Sequence, residues 1–245
     1  MTPATHLQFL DLVLIAILAL GIFLWGRHVT VPAMRKAIAA GSFDRIRFYL
    51  RGGSLLWGCT ALLAVDWAVY HRATESLGLT APMDEHFLIG ASLTGSIMLG
   101  LLIGSVRLAK SGGGERQKQK LIEKSPLLYE MLPTDRSELA HFVWLSITAG
   151  VTEELLYRAF LIYAFTLYLP LAAAVVLSSV LFGLGHGYQG ITGMVKASIL
   201  GAVLAVLYVG SGSLFLPMAL HAFLDIQGGA VGLWLKSRKA GDTPV

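Results

Sequence analysis

Charge is scarce in this sequence: only 14% of its 245 residues are Asp, Glu, Lys or Arg. Soluble domains carry about a quarter of their residues charged, so a fold wetted over its whole surface is excluded. There is one cysteine, Cys59, which rules out an intrachain disulfide; it lies inside an apolar block and reads as helix packing. No Lys or Arg precedes the first apolar block, Phe9 to Gly26. The charged start of a secretory signal is therefore missing, and the block is expected to be retained as a helix. No internal repeat is found, which weakens a transporter built from duplicated halves. The zincin pattern H-E-x-x-H is absent as well.

What is present is apolar length. Hydrophobic residues make up 55% of the chain and the mean hydropathy is +0.67. They fall in blocks of about 18 to 20 residues, enough for a helix rising 1.5 Å per residue to cross a hydrocarbon core of about 30 Å. The expected spans are 9–26, 53–70, 87–106, 138–168, 171–187, 193–209 and 213–235. This predicts an all-α polytopic membrane bundle of seven or eight transmembrane helices, the long stretch 138–168 holding Ala149-Gly150 as a possible bend.

A net charge of +4 and a pI near 9.2 could point to nucleic acid. The basic residues instead sit between apolar blocks with no interleaved aromatics, so no nucleic-acid partner is expected. Loop 27–52, with Arg27, Arg35, Lys36, Arg45, Arg47 and Arg51, and loop 107–136, with seven basic residues, should be cytoplasmic; so should the tail carrying Lys236, Arg238 and Lys239. Within the second loop, "SGGGERQKQK" at 111–120 reads as a linker. The chain then divides into N-terminal helices 1–110, a basic cytoplasmic linker 111–136 and a core 137–239 that holds the dense polar chemistry. Asp11, Asp66, His71 and Lys196 lie toward block ends and are expected to reach the interface, while Gly201 and Gly210 read as sites of close helix packing. The five tryptophans mostly sit near span ends, as an aromatic belt would.

The core places ionisable groups inside apolar helices, where each costs roughly 2.5 to 3.5 kcal/mol by insertion scales unless it is paired, hydrated or useful. In "TAGVTEELLYRAFL", Glu154 and Arg158 stand four apart, acid first, in the favourable order for an ion pair on one face. Glu153 is left without a local partner, as a general base would be. In "VLFGLGHGYQG", Phe182 and His186 share a face; in "FLPMALHAFLD", His221 and Asp225 do, so the aspartate could orient the imidazole or join it around a water or an ion. A 1.5 Å rise puts Glu153 about 21 Å from the inner face and His221 about 12 Å from the outer one, nearly the same depth. The same count leaves His186 nearer the inner face.

E-E-x-x-x-R at Glu153, Glu154 and Arg158, F-x-x-x-H at Phe182 and His186, and H-x-x-x-D at His221 and Asp225 together resemble the CPBP family. That family comprises type II CAAX prenyl endopeptidases and bacteriocin-processing and immunity-type relatives, also called the ABI family. The resemblance covers about 138–235 and implies an intramembrane endopeptidase with Glu153, Glu154, Arg158, His186, His221 and Asp225 as site residues. Glu153 and His186 would activate a water, His221 and the last residue would stabilise the oxyanion, and Glu154 with Arg158 would orient. Relatives known for prenyl-protein cleavage carry Asn where this chain has Asp225, and an ionised aspartate has no hydrogen to donate. It could instead orient His221 or bind a metal. Zinc held by Glu153, His186 and His221 is one form of the reaction and a metal-free, glutamate-dependent form is the other. The implied partners are membrane lipids and a peptide or lipidated-protein substrate, and the implied location is a prokaryotic inner membrane. The alternative is a non-catalytic relative acting in bacteriocin immunity or as a membrane partner.

Overall fold

The computed structural model describes residues 6–111 and 113–238, all helix and connecting turns without a strand among them. Lys239 of the basic tail and Gly112 of the glycine run lie outside the described residues. Helix α1 spans Phe9–Ala39 and α2 Arg45–Val69. Helix α3 is Glu85–Lys110, and two short helices follow, α4 at Gly114–Lys124 and α5 at Pro126–Met131. Helix α6 runs over 136–166, α7 is Leu171–Gly185, α8 Gly190–Ser211 and α9 Phe215–Ser237. Asp44, Asp84 and Asp135 cap α2, α3 and α6, each side chain accepting from a backbone N–H three residues on. These caps satisfy donors that a helix start otherwise leaves open.

Five helical stretches are long and apolar enough to cross a membrane: Phe9–Ala39, Arg45–Val69, Glu85–Lys110, Gly187–Ser211 and Phe215–Ser237. With α6 and α7 they form a bundle whose outward face is a coat of exposed Leu, Ile and Val, as lipid requires. The chain is an integral, multi-pass membrane protein. Helix α6 lies at the centre, packed on α2 and α9, while α7 packs on α8. Gly150 is the crossing point of α6 and α9, where an added Cβ would come within 2.8 Å of the Ala222 backbone nitrogen. The Ala149-Gly150 pair is therefore a contact and not a bend, and the helix passes through it unbroken.

Three other expectations change. Residues 27–39 continue α1 as helix through two π-helical turns, Ile17–Gly21 and Gly26–Thr30, so the loop to α2 shrinks to 40–44. The predicted linker is helix α4 from Gly114 on, because Glu, Gln and Lys are strong helix formers and Gln119 bonds Glu115 across one turn. Asp11 and Asp66 do not reach the interface. Both are fully buried and converge on Arg72, at 2.6 and 2.7 Å, tying α1, α2 and the turn after α2 together. Burial opposes the Arg72 charge, but the hydrogen bonds and charges of Asp11 and Asp66 outweigh it and hold its pKa above the ordinary arginine value.

Gly201 packs as expected, an added Cβ meeting Phe182 at 3.1 Å, but a Cβ at Gly210 would meet nothing within 4 Å, so that glycine is not a packing site. One tryptophan departs from the belt: Trp67 is buried against Tyr163. The basic end is fastened by Arg45, which binds the Glu130 carbonyl and carboxylate at 2.7 and 3.1 Å, and by Lys236, which donates to the Leu132 carbonyl at 2.7 Å.

Candidate active site

Helix α6 changes its winding where the motif begins. Glu153 closes an α-helical stretch and Glu154–Leu161 is a π-turn, a wider coil that in proteins concentrates at functional sites. From Leu156 through Ile162 every side chain is buried, so this segment is surrounded by protein on all sides. Within it Arg158 Nη1 meets Glu154 Oε1 at 3.0 Å with both side chains withdrawn from solvent. The guanidinium also donates from Nη2 to the Gly201 carbonyl at 3.3 Å and lies over the Phe182 ring, 4.2 Å from its centroid. Gly201 leaves room for this: a Cβ there would stand 3.4 Å from Arg158 Nη2.

Helix α9 brings His221 to the same carboxylate. His221 Nδ1 lies 2.7 Å from Glu154 Oε1 in a buried contact. A carboxylate accepts, so Nδ1 carries the hydrogen and Nε2 faces the other way. There Nε2 is 3.8 Å from Glu153 Oε2 and 3.8 Å from Asp225 Oδ2. Those separations exceed a direct hydrogen bond and suit one bridging water. The residue that orients His221 is therefore Glu154, reached from another helix, and not Asp225 one turn along its own. Glu154 has the shorter contact because the π-turn and the Gly150–Ala222 crossing bring α6 against α9 at this level.

His186 ends α7 and its Nδ1 sits 2.8 Å from the Phe182 carbonyl. A carbonyl only accepts, so this ring too is held by an Nδ1 hydrogen and turns a basic Nε2 outward. Helix α7 has 15 residues and spans about 22 Å, short of a 30 Å core, so its end stays inside the bundle. What sets His186 beside His221, against the depth the residue count gave it, is the Phe182 ring that both imidazoles touch. Phe182 spaces the two imidazoles: its centroid is 4.7 Å from the His186 ring and 5.7 Å from the His221 ring, with Tyr157 edge-on at 5.2 Å.

The site is thus graded in access. Glu154, Arg158, His221 and Phe182 are buried, whereas the Glu153 side chain is 16% exposed and that of Asp225 42%. Glu153 Oε2 has no hydrogen-bond partner among the described residues. A cleft of about 500 Å³ at the basic end, lined by Arg35, Ile122 and Tyr129 among others, does not include these residues. As a test of the zinc form, no group of three or more His, Cys, Asp or Glu among the described residues is placed to hold a metal ion. No step below runs through a metal.

Sequence reasoning missed Tyr157, Tyr188 and Gln189. Tyr188 stacks 5.9 Å from His186 and accepts from Gln189 Nε2 at 3.0 Å. The signal was adjacency alone: all three lie inside or beside the quoted motifs.

Residues 135–227 match the family model described as type II CAAX prenyl endopeptidase Rce1-like. No curated protein and no solved structure matches the chain. The matched stretch begins at the Asp135 cap of α6 and ends beyond Asp225, so every residue of the site falls within it. With three motifs and their helices inside that one match, residues 135–227 are similar to the Rce1-like proteins of the CPBP family, which are generally membrane proteases.

Proposed function

We propose that this protein is an intramembrane endopeptidase that hydrolyses a peptide bond in a membrane-associated peptide or lipidated protein, using a water held by Glu153 and His186. One observation carries the reading: both imidazoles are fixed through Nδ1, one by a carbonyl and one by Glu154, and Glu153 Oε2 is unpartnered next to His221 Nε2. A base without a competing partner and two rings of fixed orientation are what water activation needs.

In the reaction, Glu153 takes a proton as the water oxygen bonds to the scissile carbonyl carbon. The carbonyl electron pair moves to oxygen. His186 Nε2 accepts the second water hydrogen and so points the lone pair. His221, with Nε2 protonated, donates to the oxyanion, and Glu154 keeps the ring from turning. The C–N bond then breaks, the electron pair returns to form the carboxylic acid, and the proton on Glu153 passes to the leaving nitrogen. Arg158 neutralises Glu154 so that the carboxylate can stay buried.

The test is cleavage of a quenched, farnesylated CAAX peptide by purified protein in detergent. Glu153→Gln should lower kcat by about 10²–10⁴-fold, the usual worth of general-base catalysis. The proposed steps run without a metal, so 1,10-phenanthroline should leave the wild-type rate unchanged. Wild-type rates from Glu153→Gln would sink the proposal.

A further inference from the structure

The oxyanion in this site is short of hydrogen-bond donors. His221 Nε2 supplies one. Asp225, where prenyl-protein proteases carry Asn, is an acceptor when ionised. His186 spends its only N–H on the Phe182 carbonyl. Arg158 is 1% exposed and engaged with Glu154, Gly201 and Phe182, so it cannot turn toward substrate. Stabilisation of a tetrahedral intermediate generally relies on more than one fixed donor.

Tyr188 is placed to supply the second. It lies in the Gly187–Gln189 turn that follows α7, two residues beyond His186, with the two rings 5.9 Å apart and tilted by 35°. It is part-buried and within electrostatic reach of both Glu153 and Asp225. Its hydroxyl oxygen accepts from Gln189 Nε2 at 3.0 Å, while its own hydrogen has no acceptor among the described residues. A phenol that receives one hydrogen bond and has yet to give one is polarised to donate. The turn is built to hold this pose. A Cβ on Gly193 would stand 2.2 Å from the Gln189 Cβ, so that glycine lets the Gln189 side chain lie against α8; a Cβ on Gly187 would meet the Phe23 ring at 3.2 Å. Gly190 has φ +77°, a backbone state that favours glycine, and closes the turn.

We propose that Tyr188 is a further catalytic residue, its phenolic O–H donating with His221 to the oxyanion of the scissile carbonyl in place of the missing asparagine amide. The assignment rests on the hydrolytic reading above. It also gives Gln189 a positioning role, since the amide sets the direction of the hydroxyl.

The test uses the full chain and the farnesylated CAAX peptide, with a farnesyl-peptide phosphonate as a tetrahedral analogue whose binding needs no turnover. Tyr188→Phe keeps the ring beside His186 and removes only the hydroxyl. It should lower kcat by about 10²–10³-fold, the scale of one oxyanion donor. KM and the thermal midpoint should stay at the wild-type values, and phosphonate affinity should fall by a factor similar to that in kcat. Gln189→Leu should show a smaller loss in kcat with KM again unchanged. A Tyr188→Phe protein with wild-type kcat, a loss carried by KM alone, or undiminished phosphonate affinity would overturn the assignment. Full activity in Glu153→Gln would instead remove the hydrolytic reading, so the two failures are told apart.

Discussion

Glu154 is the residue on which the site turns, since one oxygen, Oε1, receives both Arg158 at 3.0 Å and His221 at 2.7 Å. Removing it leaves the arginine buried without a counter-charge, so Glu154→Ala should destabilise the protein by about 3–5 kcal/mol. Adding Arg158→Met to that variant removes the stranded charge and should recover most of the stability, read as the thermal midpoint in detergent. Its kcat should nonetheless remain at least about tenfold low, because His221 has lost the partner that fixes its orientation. Recovery of both together would mean that Glu154 serves only the ion pair. The pair itself was legible in the sequence from its i, i+4 spacing. Its third member was not, because His221 lies 67 residues away from Glu154 and only the crossing of α6 and α9 brings it near. Spacing along one helix pointed to Asp225 as the orienter for the same reason: it registers neighbours on a face and is blind to neighbours across a helix pair.

At the scale of elements, the site depends on two close approaches and one wide turn. Gly150 brings α6 to α9, and Gly183 brings α7 to α8, where an added Cβ would lie 2.6 Å from the Met194 carbonyl oxygen, too near for any real Cβ. Gly183→Ala should therefore cost at least about 1–3 kcal/mol through overpacking. Gly210→Ala, in α8 with nothing within 4 Å of its added Cβ, should be neutral or stabilising by up to about 1 kcal/mol. Equal midpoints for the two variants would contradict this account of how α7 is seated. Helix identity and order were legible because apolar blocks of membrane length are a strong signal. The π-turn at Glu154–Leu161 was not, since nothing in its composition separates it from an α-helix; nor was the early end of α7, which is set by the Gly187–Gln189 turn. Helix α4 was hidden by the glycines before it, although its own residues are helix formers.

For the whole molecule, the two ends are fastened by different chemistry. The basic end uses Arg45 and Lys236 on the carbonyls of Glu130 and Leu132. The opposite end uses the buried Asp11–Arg72–Asp66 cluster, with Leu214 N–H donating to the Gly78 carbonyl at 2.8 Å to join α9 to the turn before α3. The cluster was not legible as such, because its members come from two helices and a turn that the sequence gives no reason to bring together. Between these ends, α6, α7 and α9 deliver Glu153, His186 and His221 to one level of the bundle. The central claim is that Glu153 and His186 act on the same water. The measurement that tests it most directly is a double-mutant cycle on kcat for cleavage of the farnesylated peptide, with Glu153→Gln, His186→Ala and both together. Groups that act as a unit lose little more when both are removed than when one is. The account predicts a double variant no slower than about threefold below the slower single variant, within the non-additivity expected of coupled residues. Losses that multiply, as they do for independent sites, would contradict it.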